Sequence, residues 1–257
     1  MEIDLAKIRE AANRLLKSQA LVVLTGAGIS KESGVPTFRD TLDGLWAQFD
    51  PKQLATPEAF QDNPKLVWEW YEHRRELVSK VRPNPGHYAI GKLEDMLPHV
   101  TVITQNVDGL HQAAGSTDVI MLHGDIHHHK CSANCRGEPT MIDISRLEWD
   151  RTAGPPPCPY CGAWVRPDVV WFNERIPLEL MDRANSLTAK ADVMLVVGTA
   201  GEVQPAASLP YRAKRLNGAF LIDINPDEDT IMPIADLYIE GPSGEVLPAI
   251  IDTMRNL

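Results

Sequence analysis

Six short apolar runs recur along the chain: Leu21–Leu24, Val100–Thr104, Val119–Leu122, Val193–Val197, Ala219–Ile224 and Ala235–Ile239. Each is continuous rather than alternating, which predicts strands buried on both faces, as in a parallel sheet covered by helices. Pro64–Val81, Gly86–Met96, Leu178–Ala189 and Pro205–Leu216 read as helices. The N-terminal stretch MEIDLAKIREAANRLLKSQA reads as an amphipathic helix, with Ile3, Ile8, Ala12, Leu15 and Leu16 on one stripe. Strand–helix alternation of this kind predicts a doubly wound α/β sheet. Two stretches break the rhythm. Residues 40–98 hold no convincing strand and predict a helical excursion. Residues 124–170 carry a PPPCPYCG turn and every cysteine of the chain, which predicts a small inserted module. A cleft between sheet and insert is a natural place for a ligand.

The four cysteines form two close pairs, Cys131/Cys135 and Cys158/Cys161, separated by 22 residues. A chain without a secretory leader seldom keeps disulfides, so this pairing predicts one structural zinc ion held by four thiolates. Such a site has no open position and cannot activate water. The N-terminus is too charged for a signal peptide and no apolar run approaches membrane-spanning length, so the expected protein is a cytoplasmic monomer that binds no membrane. The formal charge of −10 keeps it soluble and argues against nucleic acid as a partner, which needs clustered Lys and Arg.

The segment LVVLTGAGISKESGVPTFRD at 21–40 runs a strand into Gly26-Ala27-Gly28. Glycines there let a backbone approach a pyrophosphate closely, although turns produce the same pattern often. His123 by itself is as readily a packed core residue as a base. Further motifs follow in one order: TQNVDGLHQAAG at 104–115, LHG at 122–124, the two cysteine pairs, RPDVVWFNE at 166–174, VVGTAGEVQPAASLP at 196–210 and GPSGEVLP at 241–248. Together they closely resemble the sirtuins, NAD-dependent protein-lysine deacylases, over nearly the whole chain.

That resemblance implies a Rossmann-like NAD-binding domain of residues 1–39, 99–123 and 171–257. A smaller domain would combine a helical module at 40–98 with the zinc module at 124–170, and NAD and an acylated-lysine protein or peptide would enter the cleft from opposite sides. It implies His123 as the base acting on the NAD ribose hydroxyls; an imidazole with a reference pKa of about 6.5 suits that task. Asn106 would organise the reacting ribose and a water, and Arg39 would order the cofactor loop and phosphates. Gly26, Ala27, Gly28, Ser30, Phe38, Gln105, Val107, Asp108, Gly198, Thr199, Asn225 and Ser243 complete the implied NAD site. Phe38 would shield the reacting carbon, Asp108 would hold the nicotinamide carboxamide, and Asn225 would meet the adenosine ribose. Nicotinamide leaves, the acyl oxygen attacks C1′ in its place, and water finally releases lysine and O-acyl-ADP-ribose. Val169, Val170, Phe172 and Asn173 match the segment that pairs with the peptide. Two departures stand out: Ala200 where a serine is usual, and Asn173 where a glycine is usual, which could narrow the peptide groove. The histidines at 127–129 are expected to be an exposed polar turn.

WEWYEHRRE at 68–76 sets Tyr71 and Arg74 one helical turn apart, on one face. Sirtuins that prefer succinyl-, malonyl- or glutaryl-lysine carry Y-x-x-R at the similar position. A guanidinium binds a carboxylate bidentately and a phenol adds a donor; on bare sequence, though, Glu69, Glu72, Arg75 and Glu76 make this an ordinary solvated face. Two other activities fit the same scaffold on paper: mono-ADP-ribosyl transfer to protein, and NAD binding without turnover.

Overall fold

A computed structural model describes residues 4–36 and 50–257. In chain order its elements are α1 Leu5–Leu15, β1 Leu21–Thr25, α2 Ala27–Lys31, α3 Pro51–Leu54, α4 Pro57–Asp62, α5 Pro64–Lys80 and α6 Pro85–Met96. There follow β2 Val100–Thr104, α7 Leu110–Ala113, β3 Val119–Met121, β4 Gly124–Cys131 and β5 Val165–Val169. The chain closes with α8 Leu178–Thr188, β6 Val193–Val197, α9 Leu209–Asn217, β7 Phe220–Asn225, β8 Leu237–Glu240 and α10 Ser243–Arg255. The cores cluster into two compact units: residues 1–37, 82–122 and 177–257 in the first, 38–81 and 123–176 in the second.

The first unit is a six-stranded parallel sheet in the order β3-β2-β1-β6-β7-β8. This is the doubly wound arrangement expected from the apolar runs, with its switch point between β1 and β6, where a ligand crevice opens at the strands' C-terminal ends. Every residue of β1, β2 and β6 is buried, which is why those runs do not alternate. One face carries the main core: Ile8, Ala12 and Leu15 of α1, Ile90 and Leu93 of α6, and Val246, Ile250 and Met254 of α10 pack on Val23, Val102, Leu195 and Ile222. The intervening residues Val22, Leu24, Ile103, Met194, Val196 and Leu221 are buried too, and α8 and α9 pack with β3, β6 and β7.

Local chemistry sets the boundaries. Asp4 caps α1, and Asn84 caps α6 in a reciprocal box with His87, with Pro85 at the first helical position. α1 stops at Leu15, so Leu16 is exposed rather than part of the stripe; Ile3 lies outside the described residues. The last strand starts at Leu237, not Ala235, because the Asp236 carboxylate turns back to accept the Leu221 N–H at 2.9 Å. Only α9 realises the helix expected from Pro205, since residues 206–208 form a separate short turn. Residues 82–98, expected in the helical module, group with the sheet instead, because Ala89, Ile90, Leu93 and Leu97 are needed to cover its face.

The second unit holds α3, α4, α5 and an antiparallel pair, β4 with β5. α5 starts on the Asn63 cap with Pro64 behind it and buries Val67, Trp68, Trp70, Tyr71 and Val78. Strand β4, GDIHHHKC, is too polar to announce itself, and the pair is held by hydrogen bonds and by what packs on one face: Trp68, Cys131, Ile142, Cys158 and Val165.

Candidate active site and metal centre

At the C-terminal ends of β1 and β6 the backbone is packed so closely that glycine is the only fit. A Cβ on Gly26 would stand 2.7 Å from that of Thr199, and one on Gly28 would stand 2.7 Å from the Gly198 oxygen. The glycine pattern therefore has a reason inside the protein as well as toward a ligand, and Gly198 (φ +58°) is part of it.

This crevice gathers the polar residues singled out in the sequence. Asn106, 8% exposed, donates from Nδ2 to the Gly26 oxygen and to Ser30 Oγ, both at 3.0 Å, while its N–H reaches Thr104 Oγ1 at 3.0 Å. Ser30 donates to Asp108 Oδ2 at 2.7 Å, and the other Asp108 oxygen accepts the Leu110 N–H at 3.0 Å. Gln105 Nε2 donates to Thr199 Oγ1 at 3.0 Å, and Asn225 Nδ2 donates to the Thr199 carbonyl at 3.0 Å. Ala27 and Val107 are half-buried at the rim. Ala200 contributes its carbonyl, which accepts from Thr230 Oγ1 at 3.0 Å. Ser243 is buried and its hydroxyl donates to Glu32 at 2.8 Å.

Beneath them lies a layer the sequence reading did not pick out. Thr25 Oγ1 meets Thr104 Oγ1 at 2.8 Å and His111 Nε2 at 2.9 Å, and the His87 and His111 rings stand 5.0 Å apart. Burial pushes His87 down to about 4; burial and then His87 push His111 down to about 3. Both rings are neutral at physiological pH, so the support is a network of neutral hydrogen bonds. Phe38, Arg39 and Thr41 lie outside the described residues.

In the second unit, His123 is half-buried and its carbonyl accepts the Val170 N–H at 2.8 Å. Gly124 follows at φ +84°, where a Cβ would run into the Asp168 oxygen, so the residue after the histidine must be glycine for β4 to pair with β5. Val169 and Val170 continue into Trp171, Phe172 and Asn173, and Phe172 N–H bonds to the Ala55 carbonyl at 2.9 Å. Asn173 adopts φ +69°, the left-handed region that asparagine tolerates best after glycine, and is exposed. It therefore keeps the turn that a glycine would make.

This segment is braced from below by Arg166, which lies almost wholly buried. Its guanidinium pairs with both Glu174 oxygens (2.5 and 2.9 Å), donates to the Val169 carbonyl at 2.8 Å, and lies 3.2 Å from the Trp171 ring centroid. Burial works to raise the Glu174 carboxyl, but Arg166 outweighs it and holds it below the ordinary carboxylate range.

Tyr71 and Arg74 are not the solvated face that bare sequence allows. Tyr71 is 2% exposed, edge-on to Trp70 at 4.7 Å and 6.1 Å from Trp171. Burial pushes its hydroxyl up to about 12, against the pull of Arg74 and the Trp171 indole. Arg74 is half-buried with its guanidinium 5.1 Å from the Trp70 ring centroid. Arg75 faces elsewhere, to Glu72 and the Ile126 carbonyl.

The four cysteines converge. Their sulfurs all lie within 4.8 Å of one another, with Cys131–Cys161 at 3.6 Å and Cys135–Cys158 at 3.9 Å. Four sulfurs about 2.3 Å from a tetrahedral centre stand about 3.8 Å apart, so the donor set fits zinc. Burial disfavours a thiolate at Cys131, but the N–H groups of Cys135 and Ala133 aim at its sulfur and bring it down to about 7. The three neighbouring histidines are not a turn but part of β4. His127 and His128 are exposed, whereas His129 is buried against the Trp68 ring at 5.4 Å.

The Sir2 family model matches residues 26–205. An NAD-dependent protein deacylase of Pyrococcus abyssi is 50% identical over 250 residues, covering 97% of this chain and 99% of the relative. One from Aquifex aeolicus is 49% identical over 237 residues, covering 91% and 95%. Among solved structures, a Sir2 homolog–NAD complex superposes with a TM-score of 0.86 at 42% identity, covering 96% of this chain and 93% of the other. Sir2Af2 bound to a myristoylated histone peptide gives 0.76 at 37% identity, covering 98% and 97%. With a crevice at the sheet's switch point, four converging thiols and relatives that match from end to end, the chain belongs to the Sir2 family, the sirtuins.

Proposed function

We propose that this protein is an NAD-dependent protein-lysine deacylase that removes acetyl and also succinyl or malonyl groups, giving nicotinamide, O-acyl-ADP-ribose and free lysine. The observation that carries the reading is the buried Asn106–Ser30–Asp108 network at the ends of β1 and β2, in a chain 50% identical to an NAD-dependent protein deacylase. A residue held by three hydrogen bonds, two from its side chain and one from its backbone N–H, before the ligand arrives is preorganised. Asn106 holds the reacting ribose, Asp108 the carboxamide, and Gln105, Thr199 and Asn225 the remaining ribose and phosphate contacts; Arg39 serves the phosphates and Phe38 shields the reacting carbon. His123 takes the ribose proton. Zinc, when bound to the four thiolates, supplies no chemistry to the reaction and holds the second unit's loops together.

Acidic-acyl preference is assigned to Tyr71 and Arg74. A phenol whose proton is held to about pH 12 remains a donor throughout the working range, and Arg74 supplies the charge. Charge-assisted bonds of roughly 1.5–3 kcal/mol each are enough to favour succinyl over acetyl tenfold or more. The test is kcat/KM with NAD on one peptide carrying acetyl- or succinyl-lysine, for wild type and Arg74→Met. The expected result is a succinyl preference that the variant loses while it keeps acetyl turnover. Acetyl turnover alone in wild type would make Tyr71 and Arg74 structural residues of a plain deacetylase.

A further inference from the structure

Asp223 sits in the middle of β7, opposite Val196 of β6 and Tyr238 of β8. It is 0% exposed, and neither carboxyl oxygen accepts an N–H or O–H from any described residue. A buried carboxylate without donors or a cation is among the most costly groups a fold can hold. Its polar neighbour is the Asp229 carboxyl, from the turn after β7. Asp229 is already committed as an acceptor: Oδ1 takes the N–H groups of Ile231 (2.7 Å) and Met232 (3.0 Å), and Oδ2 takes Asn225 Nδ2 (2.7 Å). With both of its oxygens already used as acceptors, Asp229 is the acceptor in a bond between the two carboxyls and Asp223 the donor.

Among the described residues no cation counters Asp223: burial and Asp229 are what act on it, and the Arg14 guanidinium of α1 lies instead over the Phe220 ring at the start of β7, 4.2 Å from its centroid. α9 turns buried Leu209, Pro210 and Ala213 inward and sends Lys214 to the Ile234 carbonyl and Asp236. α10 contributes buried Val246, Leu247 and Ile250, and the Tyr238 hydroxyl donates to the Asn225 carbonyl at 3.0 Å.

We propose that Asp223 is a neutral acid that donates a hydrogen bond to Asp229 and through it fixes the Asn225 side chain, making Asp223 a positioning residue for NAD. This rests on the reading of Asn225 as an NAD-ribose contact. Burial first, and then the Asp229 charge, push Asp223 up to about 8. The proton is therefore held at neutral pH and passes to solvent above it. Two carboxylates then face each other, Asp229 shifts, and Asn225 is left with its bond to the Thr199 carbonyl alone.

The experiment pairs carboxyl ¹³C titration of aspartate-labelled protein with KM for NAD from pH 6 to 9.5. Wild type is compared with Asp223→Asn, whose amide donates to Asp229 at every pH, and Asp223→Leu, which cannot. The expected result is an Asp223 resonance that remains protonated to about pH 8, and a wild-type KM that climbs several-fold above that pH. Asp223→Asn should hold KM flat within twofold, and Asp223→Leu should raise it several-fold at pH 7. An Asp223 resonance already ionised at pH 6 overturns the proposal, as does a KM rise that Asp223→Asn shares with wild type. Asn225→Ala separates the two layers: an unchanged KM for NAD in that variant discards the ribose reading, while the ¹³C titration still decides whether Asp223 carries the proton.

Discussion

The two units hold their functional side chains by different physics. In the sheet unit, Asn106 and Ser30 stand above a layer of uncharged side chains, Thr25, Thr104, His87 and His111, tied by neutral hydrogen bonds over an apolar core. In the second unit, Val169–Asn173 stands on a buried ion pair, Arg166–Glu174, beside four thiols that need a cation. A neutral network preorganises polar groups without a desolvated charge, and an ionic one fails abruptly once a partner is lost. The units should therefore break under different insults. The sequence supplies the reporter: all six tryptophans fall between residues 38–81 and 123–176, so their fluorescence follows the second unit alone.

The largest break comes from the metal. Structural zinc supplies on the order of 10 kcal/mol to small modules at neutral pH. Stripping it with a chelator, or replacing Cys158 with Ser, should abolish activity and red-shift tryptophan emission while most far-UV helical signal persists. Emission that stays native in metal-free protein would show that the module folds without its staple. Next in size is Glu174→Ala, which strands the Arg166 charge and should cost about 3–5 kcal/mol in denaturant unfolding followed by tryptophan. Glu174→Gln should cost less, and a loss under 1 kcal/mol for Glu174→Ala would mean Arg166 finds water.

Acid should strike the sheet unit first. His87 has a folded value of about 4, below its unfolded value near 6.5, so the native state binds fewer protons than the unfolded state between these values. Its contribution is fully present above about pH 6.5 and disappears as pH falls, about 3 kcal/mol by pH 4. Thermal melts of wild type and His87→Gln from pH 4 to 7.5 should converge in slope only if this ring is not the cause. The smallest effect is at Asn173: Gly there should alter stability by less than about 1 kcal/mol, and Val, which resists φ +69°, should cost about 1–2 kcal/mol.

The sheet was legible because strands buried on both faces must be apolar throughout, as Leu21–Leu24 and Val193–Val197 are. β4 was not, because a strand in a small metal-stapled pair needs little apolar surface, and His129 is buried on Trp68 by a partner 61 positions away. The cysteine pairs announced their convergence through spacing. Gly26 and Gly28 were recognised, but their packing on Gly198 and Thr199 depends on a strand crossing that spacing does not encode. His87, His111 and Asp223 were silent for the same reason: a buried polar residue resembles a surface one until its neighbours are known.

The most direct test of the account is NAD consumption coupled to loss of acyl from an acyl-lysine peptide, for zinc-loaded wild type and Asn106→Ala. The account predicts equal amounts of nicotinamide and free lysine from wild type, and at least a hundredfold lower kcat/KM in the variant with its melting temperature within a few degrees. Turnover of the peptide without NAD, or an undiminished Asn106→Ala enzyme, would contradict it.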